Sequence, residues 1–305
     1  MSVNVVGLLS PGDMGHVVGQ VLRRHGMRVL TCLAGRSRRT ASLAAAAGLE
    51  LVLTYDELVR CCDLVLSILV PAEAQNTAGL IGAVLKATGR QLVYVDCNAV
   101  APVTACQMDQ MIRASGGRFV DAGIVGPPPR QSGTTRFYAS GSDVASFEQL
   151  RASGLDVRVI GARVGQASAL KMSYAALTKG ISALGIELLV AAKRMGVLEP
   201  LAEEFNMSQP ERFNELERSL VSVGPKARRW VGEMEQIAMS FADLGMTAKI
   251  YQGAAEMYRF VGGSPLADEL PETRDPTRTL AQVLDVLDKT LSLQTGARRT
   301  GACDR

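Results

Sequence analysis

This chain of 305 residues is poor in the residue types from which most hydrolytic and metal sites are built. It has two histidines, His16 and His25, both inside "GHVVGQVLRRHG". A Ser-His-Asp triad, a Cys-His pair or a His-based metal centre needs imidazoles on separate segments, so neither hydrolysis nor a metal site is expected. His25 precedes Gly26 and is predicted in the last turn of a helix. The six cysteines, at 32, 61, 62, 97, 106 and 303, form no CxxC pair. Most lie in apolar runs and read as reduced core thiols of a cytoplasmic protein. No uninterrupted apolar run reaches about 18 residues and no basic-then-apolar leader opens the chain, so neither a membrane span nor secretion is expected. Aromatics are 5%, the net charge is +3, and no Lys/Arg run is interleaved with aromatics. Nucleic acid is therefore not an expected partner.

What is present is an ordinary core-forming composition, 47% hydrophobic and 21% charged, over a length that suits two domains. Up to about residue 160, short β-branched runs alternate with alanine- and leucine-rich stretches. Strands are predicted at Asn4–Leu9, Met27–Leu33, Leu64–Leu69, Leu92–Asp96 and Arg118–Asp121, then near Thr135–Ser140 and Val157–Ile160. This rhythm predicts a doubly wound, mainly parallel sheet, and runs such as "LVLSILV" suit strands covered on both faces. After about residue 164 the character changes. "GQASALKMSYAALTKGISALGIELLVAAKRMG" lacks proline and reads as one helix of about thirty residues ending near Gly196, with further helices beyond it. The expected layout is a dinucleotide-binding domain over 1–163, then an interdomain helix and an all-helical substrate and dimerisation domain over 164–305.

The opening "VVGLLSPGDMG" has the context of a phosphate-binding turn: a strand, a Gly-bearing corner, a helix. The G-x-G-x-x-G spacing falls on Ser10, Gly12 and Gly15. Gly12 is the close-approach residue and Gly15 the helix–strand packing residue in that scheme. Ser10 fits the first position if its φ stays negative, with Pro11 restricting both. About 20 residues past the last glycine, an acid would bind a ribose 2′-OH and an arginine a 2′-phosphate. Here the sequence reads Gly35, Arg36, Ser37, Arg38, Arg39, with no Asp or Glu between Asp13 and Glu50. That favours NADP over NAD.

On these residues the chain resembles the β-hydroxyacid dehydrogenase / 6-phosphogluconate dehydrogenase superfamily, which opens "G-x-I-G-x-G-x-M-G". Gly7, Ser10, Gly12, Met14 and Gly15 fall on that pattern. "VPAEA" at 70–74 resembles the loop after the fourth strand, with Val70 and Pro71 passing the cofactor. "DCNAVAP" at 96–102 resembles the "D-x-S-T-x-x-P" segment near the nicotinamide, with Asn98 and Ala99 in the Ser and Thr places. "VDAGIVGPPP" at 120–129 resembles "D-A-P-V-S-G-G", with Val125, Gly126 and Pro127 in the last three places. The nearest subgroup has a distinct C-terminal helical domain and largely undefined substrates.

The resemblance implies an NADPH-dependent oxidoreductase acting on a small carbonyl or hydroxy compound. The turn residues Ser10, Pro11, Gly12, Asp13, Met14 and Gly15 would hold the cofactor together with Arg36, Ser37, Arg38, Val70, Pro71 and Asn98. Lys171 matches the lysine of "G-x-G-x-x-x-K-x-x-x-N", six residues after Gly165, and would be the general acid/base. The family asparagine is Ala175 here; Tyr174 and Thr178 share the face of Lys171 and could supply the polar group, and Lys179 lies eight residues on. Asn98, Val125, Gly126 and Pro127 would line the substrate, with Trp230 and Glu233 as the nearest counterparts of the family pair that closes from the second domain. Close variants are an imine reductase and an oxidative decarboxylase, the latter needing an anion clamp such as Arg130, Arg163 or Arg229. The rival is a non-catalytic nucleotide-binding scaffold, which the departures at Ser10, Ala99 and Ala175 would suit. A small-molecule substrate and a homodimer are expected.

Overall fold

A computed structural model describes the backbone of residues 3–300 and the side chains through residue 294. The chain divides into two compact units, Met1–Ser173 and Tyr174–Arg305. The first unit runs β1 (Val5–Leu9), α1 (Gly15–Arg24), β2 (Arg28–Cys32), α2 (Arg38–Ala46), β3 (Glu50–Val52), α3 (Tyr55–Cys61), β4 (Leu64–Ser67), α4 (Pro71–Thr88), β5 (Val93–Asp96), α5 (Pro102–Ala114), β6 (Arg118–Val125), β7 (Arg136–Ser140), α6 (Val144–Glu148) and β8 (Asp156–Gly161).

The eight strands form one sheet in the order β3-β2-β1-β4-β5-β6-β7-β8. All neighbouring pairs are parallel except β6–β7. The order reverses between β1 and β4, and ligands of open α/β sheets bind beyond the carboxyl ends of strands at such a point. Two apolar layers sandwich the sheet. One gathers Val6, Leu8, Val18, Leu22, Leu66, Val95 and Phe137; the other gathers Leu9, Val65, Ile81, Leu85, Tyr94 and Phe119. Alternate residues of β1 and β4 thus face opposite layers, which is why these strands read as continuous apolar runs. Five of the cysteines are free thiols, and burial pushes Cys62 up to about 12. Cys303 lies outside the described residues.

Two differences from the sequence reading have local causes. β3 is a three-residue edge strand whose Leu51 and neighbouring Leu53 are exposed, so it carries no burial pattern to read. β6 continues four residues past Asp121, through Ala122 and Gly123, which have little strand propensity of their own. Pairing with β7 from Asp121↔Ser140 to Val125↔Arg136 supplies what propensity lacks.

Helix α7 (Gln166–Arg194, 29 residues) crosses the boundary between the units. By length and composition it could cross a membrane, with a mean hydropathy of 1.5 over 18 residues, half of them buried. Uninterrupted runs miss this, since Lys171 and Lys179 divide the stretch; a core helix meets the same criterion. The second unit continues with α8 (Leu198–Ser208), α9 (Pro210–Leu220), α10 (Gly224–Ala242), α11 (Lys249–Gly262) and α12 (Leu280–Thr300), and among the described residues it has no strand. Gly185 lets α7 and α9 approach, because a Cβ there would lie 2.3 Å from Leu216 Cδ1. Ile186 and Leu189 of α7, Met234 and Ile237 of α10, Tyr258 and Val261 of α11, and Leu284 and Leu287 of α12 are buried.

Candidate active site

The turn after β1 is held from within. Gly12 N donates to Ser10 O at 2.7 Å, and His16 N donates to Gly12 O at 3.0 Å. The ring of His16, 7% exposed, lies with Nδ1 2.7 Å from the same Gly12 oxygen. His16 is therefore a brace of the turn, which helix periodicity alone does not reveal. Ser10 has φ 57°, and it is the only non-glycine among the described residues at positive φ. This corrects the expectation of a negative φ: the substitution left the glycine conformation in place. The reason is packing. A Cβ on Gly15 would stand 3.0 Å from Ser10 O, so the start of α1 closes against the turn and dictates its shape. Gly12 faces open space, its nearest neighbour for a Cβ being Ser10 O at 4.0 Å. Ser10→Gly is expected to raise the unfolding free energy by about 0.5–1 kcal/mol, because left-handed backbone costs a side-chain-bearing residue about 1–2 kcal/mol and glycine's extra chain entropy offsets only part. Urea denaturation of the two proteins checks this; a less stable variant would mean that the serine side chain contributes to the turn.

Past β2, Gly35 turns with φ 71° and Ser37 caps α2, its hydroxyl accepting from Thr40 N at 3.2 Å. Arg39 pairs with Asp13, tying the start of α2 to the turn after β1. Arg38 is exposed. Arg36 is half-buried; Nη2 donates to Tyr55 Oη at 3.4 Å, while its buried Nε has no partner. An orphaned guanidinium N–H is costly unless a ligand accepts from it.

The ends of β4 and β5 are laced together by Asn98, which is 1% exposed. Its Oδ1 accepts from Leu69 N at 2.5 Å, and Nδ2 donates to Asp96 Oδ1 at 2.5 Å and to Ser67 Oγ at 2.9 Å. Both amide hydrogens are spent inside the protein, so Asn98 holds the Leu69 loop, with Val70 and Pro71 following at the start of α4, rather than offering a donor outward. Asp96 is fully buried and its Oδ2 is unpartnered. Burial, and then the charge of Asp121, push it up to about 8 against the opposing bonds from Asn98 and Ser67.

Asp121 organises the start of α7 from beneath. Oδ2 accepts from Gly165 N, Ala167 N, Ser168 N and Ser140 Oγ at 2.8–3.1 Å, and Oδ1 from Ser168 Oγ at 2.6 Å. It thereby caps α7, whose first N–H groups would otherwise be unsatisfied. The resemblance singled out this segment for its last three residues and passed over Asp121. One turn into α7, Lys171 Nζ donates to Ile124 O at 2.7 Å. That contact needs Gly123, where a Cβ would lie 2.9 Å from the Cβ of Lys171 and 3.0 Å from Ala167 O. Lys171 is thus brought beside the Val125–Pro127 segment. Val125 is 3% exposed; Gly126 is exposed with φ 117°, and a Cβ on it would overlap Thr134 O at 2.2 Å. Pro127 offers no N–H and accepts from Thr135 Oγ1.

The remaining expected residues lie in the second unit. Ala175 is buried; Tyr174 and Thr178 are exposed, with Thr178 Oγ1 donating to Tyr174 O at 3.1 Å. Glu233 is buried and ion-paired with Lys179, with Arg229 Nε at 3.6 Å from its other oxygen. Trp230 stands edge-on to Tyr258 with ring centroids 5.2 Å apart. No group of three or more metal-ligating side chains occurs among the described residues.

Comparison with known proteins covers both parts of the chain. Residues 2–153 match the NAD binding domain of 6-phosphogluconate dehydrogenase, and residues 192–261 match a domain of unknown function, DUF1932. The chain belongs to the 6-phosphogluconate dehydrogenase-like NAD(P)-binding superfamily. Members of this family are NAD(P)-dependent oxidoreductases acting on CH–OH groups. An uncharacterised 28.5 kDa protein of Methanothermus fervidus is 29% identical over 216 residues, 71% of this chain and 82% of that one. A solved conserved protein of unknown function, described as structurally similar to 3-hydroxyacid dehydrogenases, is 29% identical, with a TM-score of 0.63 over 85% of this chain and 96% of its own. The 3-hydroxyisobutyrate dehydrogenase of Mycobacterium tuberculosis shares the fold, with a TM-score of 0.66 at 16% identity over 94% and 99% of the two chains.

Proposed function

We propose that this superfamily member is an NADPH-dependent reductase or dehydrogenase of a small carbonyl or hydroxy compound, with Lys171 as its general acid/base. The observation that carries the reading is the placement of Lys171. It is anchored to Ile124 O beside an exposed, left-handed Gly126 by a helix that Asp121 caps. An amine so held can protonate a carbonyl oxygen as it is reduced, or accept the proton of an alcohol as it is oxidised. The nicotinamide, when bound, supplies or accepts the hydride.

The residues present suit that cofactor. Gly12 leaves the face of the turn open, and α1 begins without a side-chain cap or an acid in its first turn, leaving N–H groups for a pyrophosphate. Arg36, with its unpartnered Nε, suits a ribose 2′-phosphate, joined by Ser37 and Arg38. Ser10, Pro11, Asp13, Met14 and Gly15 shape the turn, Asp13 through Arg39. Val70 and Pro71 bound the site, and Asn98 acts by holding them in place. On the substrate side Gly126 offers its backbone, Val125 and Pro127 set its path, and Tyr174 and Thr178 supply polar groups from α7. Trp230 and Glu233 serve through the cluster they form with Lys179. Residues 1–163 then bind cofactor, and 164–305 bind substrate and pair subunits. Tyr174, Leu177, Ile181 and Leu184 form an exposed apolar stripe at spacings of three and four along α7, the pattern of a helix seam, and support a homodimer of a cytoplasmic enzyme.

Titration with NADPH and separately with NADH tests the reading. NADPH is expected to bind in the micromolar range and NADH at least about tenfold more weakly, the worth of one charge-assisted contact to the 2′-phosphate. Arg36→Ala should close most of that gap. Binding of neither nucleotide would replace this reading with that of a fold kept without its chemistry.

A further inference from the structure

The helical unit contains a knot of positive charge that extends past the Lys179–Glu233–Trp230 cluster of the proposed function. Lys226 lies in the first turn of α10 and Arg229 one turn later; Arg274 comes from the segment before α12, and Lys179 from α7. Two of them stand over one indole. Lys179 Nζ is 5.0 Å and Lys226 Nζ 5.6 Å from the centroid of the Trp230 ring. Tyr258, packed on the edge of that ring, fixes the backbone beneath by donating from Oη to Lys179 O at 2.7 Å.

The four cations differ in their partners. Glu233 serves Lys179 and Arg229 together. Lys226 donates to Ser222 Oγ at 3.0 Å and, among the described residues, forms no ion pair. Arg274 Nη1 reaches the main-chain oxygens of Val221 and Asp275, each at 3.4 Å. The Asp275 carboxylate is turned instead to Thr277 N and Oγ1, at 2.8 and 2.7 Å.

Lys226 carries three costs at once. It is largely buried, it faces Arg229 and Arg274, and it occupies the positive end of a helix, where a cation is disfavoured. Burial, followed by those two arginines, holds its ammonium below the usual lysine range. Aromatic faces recover part of the loss through cation–π attraction but bring no negative charge. A group so arranged is stabilised when an oxyanion enters, because one anion answers several cations.

We propose that Lys226, Arg274, Arg229 and Lys179, with Trp230 as their floor, form an oxyanion subsite of the helical unit that takes the carboxylate or phosphate group of a small metabolite. The inference goes beyond the redox reading and stands without it, since anion binding can be read with no cofactor and no turnover.

Trp230 is the only tryptophan in the chain, so emission from the intact protein reports on this site. The protein is titrated with sodium phosphate and separately with sodium malonate, at ionic strength held constant with sodium chloride, and its melting temperature is followed in the same buffers. A saturable change in Trp230 emission is expected with a rise in melting temperature. Response to phosphate alone assigns a phosphate ligand, and response to malonate alone or to both assigns the carboxylate class or a general oxyanion. Lys226→Met keeps the stem over the indole and removes the charge. It is expected to weaken the anion response at least tenfold while melting no lower than wild type in anion-free buffer. No saturable response in the wild-type protein, an equal response to chloride, or an unaltered response in Lys226→Met overturns the proposal. So does a lower melting temperature of that variant without anion, since it would show that Lys226 is already compensated within the fold.

Discussion

Replacing Lys171 with methionine is expected to lower kcat about 10²–10⁴-fold, the range a positioned proton donor contributes, while NADPH affinity stays within about twofold of wild type. The separation follows from the structure. The proposed function assigns the nucleotide to the turn after β1 and the Arg36 region, whereas the Lys171 amine is held at Ile124 O, at the end of β6. Methionine keeps the Cβ that packs on Gly123 and most of the stem, so the α7–β6 contact survives. Steady-state rates with a carbonyl substrate, set beside a nucleotide titration of the same preparation, measure both quantities. Turnover equal to wild type would remove Lys171 from the chemistry; loss of nucleotide binding along with turnover would mean that the lysine supports the fold of the turn instead.

Folding stability is expected to fall as pH is raised from about 4 to about 8, by up to about 1.4 kcal/mol per pH unit from one residue. That residue is Asp96. In the unfolded chain its carboxyl releases its proton near the ordinary aspartate value of about 4. In the folded protein burial and the neighbouring Asp121 hold the proton until about pH 8. Between those values the native state binds a proton that the unfolded state has lost, so each step up in pH favours unfolding, and above about 8 the contribution levels off. Oδ2, which has no partner, is the oxygen left open to that proton. Asp96→Asn keeps the shape, retains an oxygen for Asn98 and does not titrate, so the wild-type slope over this window should largely disappear. Urea unfolding of both proteins at pH 5.5 and 7.5 gives the comparison. Parallel pH dependence in the two would place the charge of Asp96 elsewhere than the structure implies.

The two carboxylates also show where reading the sequence reaches its limit. Asp96 and Asp121 each follow an apolar run, and the resemblance marks both segments. Their opposite environments come from partners far along the chain. Asp121 draws its donors from residues 19 and 44–47 positions later, while Asp96 receives too few to satisfy its second oxygen. Asn98 is similar: the motif places it near a nicotinamide, and only the approach of Leu69, 29 residues earlier, turns its amide inward. Glu233, which the resemblance sets nearest the family pair that closes from the second domain, is buried against Lys179, 54 residues before it. No spacing rule along one helix links such pairs.

Whatever neighbours within a turn or two govern can be read directly from the residues. Apolar runs separated by helical stretches dictate the parallel sheet, the proline-free stretch dictates the length of α7, and glycine at 12 and 15 after a strand dictates a corner that opens a helix. Packing between distant segments chose the direction that each polar side chain took. It forced Ser10 into a glycine's conformation because α1 packs on that turn, left one buried carboxyl short of donors while saturating the next, and drew two lysines over one indole. These outcomes depend on desolvation and on long-range contact, quantities that exist only once the sheet and the helices have closed around them.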